Sequence, residues 1–540
     1  MTKIWWSKFR NFEADFFMRW MLQHLKYREE IVIVKEKRNL KLFEFLTIFT
    51  TVVGTMVGVG IYVKNDNGAG HVLNIVQNPY IAIILWIFMG TIVVSLMIVF
   101  LEIASSTLKT GNGTVAAWIN IFIGRRLASM ASLFYIFIYL PVNYGFFAIL
   151  IVQYVITAAG AELQQSNQLL IFLGCGIFML ALSAYVNSYK RMAGKKVQIY
   201  GTFLKFIPLL LVFIALFIPD RIWGVIFNTQ NAIPGNGGEL PSWNTSFENI
   251  NGAMILAGFS PIFFAFTGFV YAANMQAETQ NKSIVSKAIL SGVIFVAFFY
   301  ALLAAALFLG SKDGSVVGFF EYMFNGFKDI ENINPSVRQA SILTANVILV
   351  MVSFLGLNSY TLIGPNFAHT DINEGLLFFN NKKIKRTTAG ILQMLISVVF
   401  YIPMVATSIL VKNQPTFLYD QISNVASMLD FFLYLVLVIA AVKNRFSKKV
   451  SVDKVKTWVF FACSTYAITT LSILCGYSFY NYFTEDAVLA IVFGVIIVVI
   501  LGIFTINEIL LNKSKNNCKN EQLTEINKDK PSKIYKEYKD

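Results

Sequence analysis

Thr50-Thr51-Val52-Val53-Gly54-Thr55-Met56-Val57-Gly58-Val59-Gly60-Ile61-Tyr62 lies inside the first long apolar segment and carries three glycines within seven residues. Glycine inside a helix is destabilising, by about 1 kcal/mol against alanine. In a bilayer, every backbone N–H and C=O freed by a helix break must also find a partner. Three such residues in an apolar span predict a chain that unwinds between Gly54 and Gly60 for a purpose. Unwinding would expose amide N–H groups at the start of the outer half-helix, which attract an anion. It would also leave carbonyls around Thr51 to Gly54 that accept from an ammonium. An α-amino acid carries both groups. The alternative is close helix packing, since Gly54 and Gly58 also form a small-xxx-small pair.

The surrounding composition makes the bilayer the right frame. The chain has 540 residues, 56% hydrophobic and only 14% charged, with a mean hydropathy of +0.62. Apolar runs recur from residue 43 to residue 511, and runs of about 20 residues are what a bilayer-spanning helix needs. Short alternating segments, the mark of a membrane β-barrel, are absent. The expected fold class is an all-α polytopic membrane protein. Twelve spans are predicted: 43–63, 80–101, 128–157, 168–186, 196–218, 252–275, 284–309, 340–363, 387–411, 425–442, 457–480 and 486–511.

The net charge of +14 does not point to nucleic acid, because of where the charges sit. If the termini are cytoplasmic, 37 of the 44 Lys and Arg residues fall on the inner side, six fall outside, and Lys205 lies within a span. That bias is the positive-inside rule, and it predicts a multi-pass protein of the cell membrane with both termini inside. The four cysteines (Cys175, Cys463, Cys475 and Cys518) lie in apolar segments or the tail, so no structural disulfide is expected. The basic start, Met1 to Arg10, lacks the apolar core of a signal peptide.

Residues 1–42 read as a cytoplasmic extension. Trp5, Trp6, Phe9, Phe12, Phe16, Phe17, Trp20 and Met21 recur at helical spacing, with Lys8, Arg10, Arg19 and Lys26 among them. The pattern is an amphipathic helix, either lying on the inner leaflet or capping the cytoplasmic face. Residues 43–442 form ten spans of a core, 443–511 add two more, and the lysine-rich segment 512–540 reads as a disordered tail.

A second interruption falls five spans after the first: Gly258-Phe259-Ser260-Pro261-Ile262-Phe263-Phe264-Ala265-Phe266-Thr267-Gly268-Phe269. Interrupted spans at corresponding positions of two halves point to the binding site of an inverted-repeat transporter. The substrate-contacting set is therefore Thr51, Gly54, Thr55, Met56, Gly58, Val59 and Gly60, with Phe264, Phe266, Thr267 and Gly268. Phe264 and Phe266 would also close over the substrate as a gate. Ordinary packing is the alternative for most phenylalanines in a chain that has 50.

Gly58-Val59-Gly60-Ile61-Tyr62 resembles the Gly-Ser-Gly-Ile-Phe motif of the amino acid–polyamine–organocation permeases. Leu101-Glu102 through Lys109-Thr110-Gly111-Asn112-Gly113 is similar to that family's first cytoplasmic loop. Phe264-Ala265-Phe266-Thr267-Gly268 to Glu278-Thr279-Gln280-Asn281-Lys282 is similar to its sixth span and the segment after it. The likeness covers the first eight spans. It departs at Val59, where the family has serine, at Thr110 and Asn112 in the loop, and at Lys282, where proline is usual. The resemblance implies a five-plus-five inverted-repeat core with two extra helices. It further implies alternating-access transport of amino acids or related amines, coupled to protons or run as exchange.

Lys205 stands in Gly201-Thr202-Phe203-Leu204-Lys205-Phe206-Ile207-Pro208, about nine residues into span five. A lysine within a span is expensive and faces a cavity or a partner. The alternative, snorkelling to the surface, needs a reach of roughly 13 Å from that depth. In the family resemblance, a lysine here occupies the place of the sodium ion of sodium-coupled relatives and touches spans one and eight. It is the expected coupling residue. Glu102, at the inner end of span two, is a candidate inner gate through pairing with basic loop residues, or a solvated carboxylate. Asp430 is an ionisable group of span ten or a loop-end charge.

Other chemistries lack residues. His24, His71 and His369 have no metal-ligand spacing, no Walker loop is present, no catalytic cluster suggests an enzyme, and no cofactor is expected. A channel would need rings of charge or carbonyls, which do not appear. A substrate sensor of the same fold remains a competing class, its output carried by the terminal extensions. The substrate is expected to be a neutral amino acid, because no acidic residue lies near either break in the sequence; glutamate and cationic amino acids or polyamines stay open.

Overall fold

The computed structural model describes residues 40–57, 60–68, 70–109, 113–161, 163–217, 250–280, 282–311, 313–326, 333–379, 383–484 and 487–528. The amphipathic segment expected within residues 1–39 lies outside them, as do Gly58 and Val59. Among the described residues there are twelve helices long and apolar enough to cross a membrane, and no strand. Spans one to six are Leu40–Tyr62, Pro79–Ser105, Arg125–Ala158, Gln165–Tyr189, Arg191–Phe217 and Gly252–Ala273. Spans seven to twelve are Ser283–Gly310, Pro335–Asn373, Arg386–Lys412, Phe417–Ser447, Thr457–Thr484 and Ala487–Ser514. Each coincides with an expected span, mostly with extra turns at its ends. The last helix runs on through Lys528, so the first part of the expected disordered tail is helical.

Local sequence sets several starts. Asn78 caps span two by accepting from the N–H groups of Tyr80 (2.8 Å) and Ile81 (3.3 Å), with Pro79 at the first helical position. Asn334 and Pro335 open span eight in the same way. This pairing satisfies amides that have no helical acceptor and places a proline where its missing N–H costs nothing.

The packing follows an internal repeat. Span two packs chiefly on span seven, three on eight and four on nine, so each helix meets its counterpart five spans later. The connections agree. Between spans two and three a short helix, Val115–Phe122, is capped by Thr114 Oγ1. Between spans seven and eight its counterpart, Val316–Phe324, is capped by Ser315 Oγ. Spans one and six, the counterparts that break, also lie in contact. Span three is the most buried. Spans four, nine and twelve present large apolar side chains outward, including Leu170, Phe178, Val399, Leu410, Ile491 and Val498, as helices bordering lipid do.

Candidate functional site: the facing breaks of spans one and six

Span one is helical from residue 40 to Met56, leaves helical geometry at Val57 and resumes at Gly60–Lys64. The expected unwinding from Gly54 is therefore corrected to a later start. Gly54 sits inside the helix, where a β-carbon would collide with Gln198 of span five and Ser359 of span eight. Its role is close packing. Thr51 turns its hydroxyl back to Thr47 O (2.6 Å), within its own helix. The carbonyls at the break are those of Met56 and Val57, and both have donors from other helices. Lys205 Nζ donates to Val57 O at 2.6 Å. The Tyr300 hydroxyl of span seven donates to Met56 O, with Ala265 O of span six 3.1 Å away.

Span six breaks where expected. Pro261 removes one helical N–H, and the helix is interrupted at Gly258, where a β-carbon would lie 2.7 Å from Leu85 Cδ1 and 2.8 Å from Val76 Cγ1. The helix Phe259–Phe266 then ends, Thr267 is extended (ψ 164°), and Gly268 takes φ +92° before a 3-10 helix over Phe269–Glu278. That φ requires glycine. A β-carbon on Gly268 would also lie 2.9 Å from the Tyr360 hydroxyl and 3.1 Å from Thr55 Cβ.

The two breaks face each other. Thr55 Oγ1, held by Val52 O (2.9 Å) and Thr51 O (3.0 Å), lies 3.4 Å from Gly268 O. On the far side of the break, a β-carbon on Gly60 would sit 2.8 Å from Ala265 Cα, so the second half of span one lies directly on span six. The two expected gate residues differ. Phe264 meets Phe146 of span three edge-on at 5.2 Å. Phe266 is fully buried against Trp86 of span two (6.0 Å) and Tyr300 of span seven (5.0 Å), in the scaffold.

Lys205 is fully buried, fourteen residues after Arg191 starts the helix, which is about 21 Å of helix. Its bond to Val57 O sets snorkelling aside. Gln198, Thr202 and Lys205 fall on one face of span five and are all buried. Gln198 Nε2 donates to Thr50 O (3.0 Å), and Asn358 of span eight donates to Gln198 Oε1 (2.8 Å). Asn187 of span four donates in turn to Asn358 Oδ1 (3.0 Å). Span one is thus bound along its first half by polar side chains of span five.

Asp430 is not a loop-end charge. Span ten begins at Phe417, which puts Asp430 thirteen residues into the helix, fully buried. Tyr135 OH of span three donates to its Oδ1 and Tyr271 OH of span six to its Oδ2, both at 2.6 Å. Tyr271 is three residues past Gly268. Tyr139 packs against Tyr135 and Tyr271 at 5.8 and 5.1 Å, and its hydroxyl lies 3.4 Å from that of Tyr360. Sequence reasoning missed this tyrosine wall. One sign of it was Pro141 inside an apolar span. Residues Tyr135–Tyr139 form a π turn just before it, and the Ile136 carbonyl that Pro141 cannot serve accepts from Gln393 Nε2 of span nine (3.0 Å).

Glu102 is buried too, and is no solvated carboxylate. It pairs with Arg445 at the end of span ten (2.5 Å) and accepts from Val455 N–H (3.1 Å). Arg445 also donates to Val455 O (2.7 Å) and covers the ring of Phe460 at 4.4 Å. At the opposite face, Lys64 pairs with Asp420 at the start of span ten (2.9 Å).

The sequence profile of the amino acid permease family matches residues 43–506, well past the eight spans that carry the motif resemblance. A protein of Mycoplasma pneumoniae (strain ATCC 29342 / M129 / Subtype 1), described as an uncharacterized protein, is 23% identical over 477 residues, 78% of this chain and 81% of the relative. Twelve spans, a repeat of five and two facing breaks agree with the profile: the chain belongs to the amino acid permease family, within the amino acid–polyamine–organocation superfamily.

Proposed function

We propose that this protein is a secondary transporter that moves amino acids across the cell membrane by alternating access, with its termini in the cytoplasm. The observation that carries the reading is the juxtaposition of the breaks, Thr55 against Gly268 and Gly60 against Ala265. The substrate's carboxylate and amine bind the main chain of the two breaks, around Gly58 to Gly60 and Thr267 to Gly268. Phe264 closes over the site from span six. Rocking of one repeat against the other then carries the occluded site from one face to the other. The cytoplasmic placement of the termini rests on the bias of Lys and Arg residues.

Lys205 is the coupling residue in this reading. It donates to the carbonyl that ends the first half of span one, so a change in its charge acts directly on the break. A neutral amine would donate more weakly and loosen span one; a charged one would hold it.

The test is uptake of the twenty amino acids by the full-length protein in liposomes, with and without an inward proton gradient. Uptake of a narrow set is expected, either rising with the gradient or appearing only in preloaded vesicles. Lys205→Met should lower it by at least about 100-fold, the scale for removing a buried charge-assisted bond. Substrate binding without flux would replace the transporter with a sensor, and wild-type uptake by Lys205→Met would remove the lysine's role.

A further inference from the structure

We propose that Asp430 is the receptor for a positively charged side-chain group on the transported amino acid, an ammonium or a guanidinium. The inference rests on the amino acid transport reading above and names the substrate class of the same site.

The first argument is electrostatic. Asp430 is fully buried in a membrane-spanning helix, and its two oxygens accept from the neutral hydroxyls of Tyr135 and Tyr271, with Tyr434 beside them. Among the described residues, no lysine, arginine or histidine pairs with it. Such a group is expensive in a bilayer and belongs to a function or a partner. A carboxylate has about four lone-pair sites, so two neutral donors leave acceptor capacity for a cation. A substrate cation offsets the desolvation that the protein alone does not.

The second argument is the wall. Tyr135, Tyr139 and Tyr271 stand edge to face around the carboxylate, with centroids 5.1 to 5.8 Å apart. Aromatic faces attract cations, and aromatic rings beside an anion are the usual way to recognise an ammonium group. Apolar side chains alone would suit a neutral substrate better, and they are not what spans three and six supply here.

The third argument is position. The Tyr139 and Tyr360 hydroxyls lie 3.4 Å apart, and a β-carbon on Gly268 would come within 2.9 Å of the latter. Tyr271 follows Gly268 by three residues. The carboxylate is therefore continuous with the breaks. An amino acid whose main chain sits at the breaks directs its side chain along these tyrosines. Asp371 of span eight is a useful contrast. It too is buried, but it is held by Ser132 (2.5 Å) and Thr114 (3.1 Å), and its carbonyl accepts from Leu376 N–H. It ties loop to helix, and among the described residues no tyrosine hydroxyl bonds to its carboxylate. The expectation of a neutral substrate rested on distance along the chain, which the fold removes.

The experiment uses the full-length protein in liposomes with labelled lysine and arginine, each against its uncharged counterpart, norleucine and citrulline. Wild-type protein is expected to prefer the charged member of at least one pair by roughly 100-fold or more, because a buried ionic partner left unmatched is strongly disfavoured. Asp430→Asn, nearly the same shape, should abolish that preference and move it toward the uncharged member. Tyr271→Phe keeps the ring, removes one hydroxyl, and should raise the KM for the basic substrate about 10-fold. It reads the same site if the asparagine variant does not fold. Uptake confined to neutral or acidic amino acids overturns the proposal and leaves the transporter reading standing. An unchanged KM for the basic substrate in both variants also overturns it. Absence of uptake and of binding for every amino acid removes both readings together.

Discussion

Glu102 with Arg445, and Lys205 with Asp430, are two ways of burying charge in one bundle. The first two residues sit at the rim, form an ion pair at 2.5 Å and bind the same loop residue, Val455, from either side. Lys205 and Asp430 sit deep in their spans, and neither has a counter-ion among the described residues. Lys205 is met by a backbone carbonyl and Asp430 by tyrosine hydroxyls. A closed pair satisfies itself and serves to hold helices together. Asp371 too is buried without a counter-ion among the described residues, but it lies near the end of span eight and is held by the hydroxyls of Ser132 and Thr114. The two unpaired charges that lie deep in their spans border the facing breaks. The comparison teaches that the rim is built for stability and the centre for exchange of partners.

Thermal unfolding of the purified protein tests the contrast. Arg445→Ala should produce the largest effect, a loss of about 3–5 kcal/mol, because it strands Glu102 in a buried site. A loss no greater than that of a surface substitution would break the comparison at its stable end. Asp430→Asn should be smaller and opposite in sign, raising stability by about 1 kcal/mol as functional sites do when an unmatched charge is removed. A drop comparable with that of Arg445→Ala would place Asp430 with the structural charges. The smallest expected quantity is the coupling between Lys205→Met and Asp430→Asn. A double-mutant cycle should give less than about 0.5 kcal/mol if Lys205 acts on the span-one break and Asp430 on the substrate side chain. A larger value would make them one latent ion pair.

Much of this was legible in the sequence. The twelve spans follow from apolar runs and from the side on which lysine and arginine fall. The span-six break follows from Pro261 and Gly268, whose backbone demands do not depend on neighbours. Gly54 misled because a glycine that unwinds a helix and a glycine that admits Gln198 and Ser359 look alike in one dimension. Asp430 was misplaced for a different reason. Asp420, Gln421 and Asn424 make the first turns of span ten read as loop, so the apolar run starts at residue 425 and leaves Asp430 near its end. The tyrosines that face it come from spans three and six, and nothing local announces their convergence.

The π turn of span three carries a consequence for how this protein tolerates change in length. Ser132 and Tyr135 lie at or before the turn, and Tyr139 and Asn143 at or after it. The first two reach Asp371 and Asp430; the last two face Tyr360 and the Tyr139 carbonyl. A π turn is one extra residue wound into an α-helix, so deleting a residue between Ile136 and Ile138 lets the helix close as a regular α-helix with its two halves nearly in phase. A deletion elsewhere in the span turns one half against the other by about 100°. The π turn is therefore the place where this helix can lose a residue; the same change elsewhere would put half of its contacts out of register.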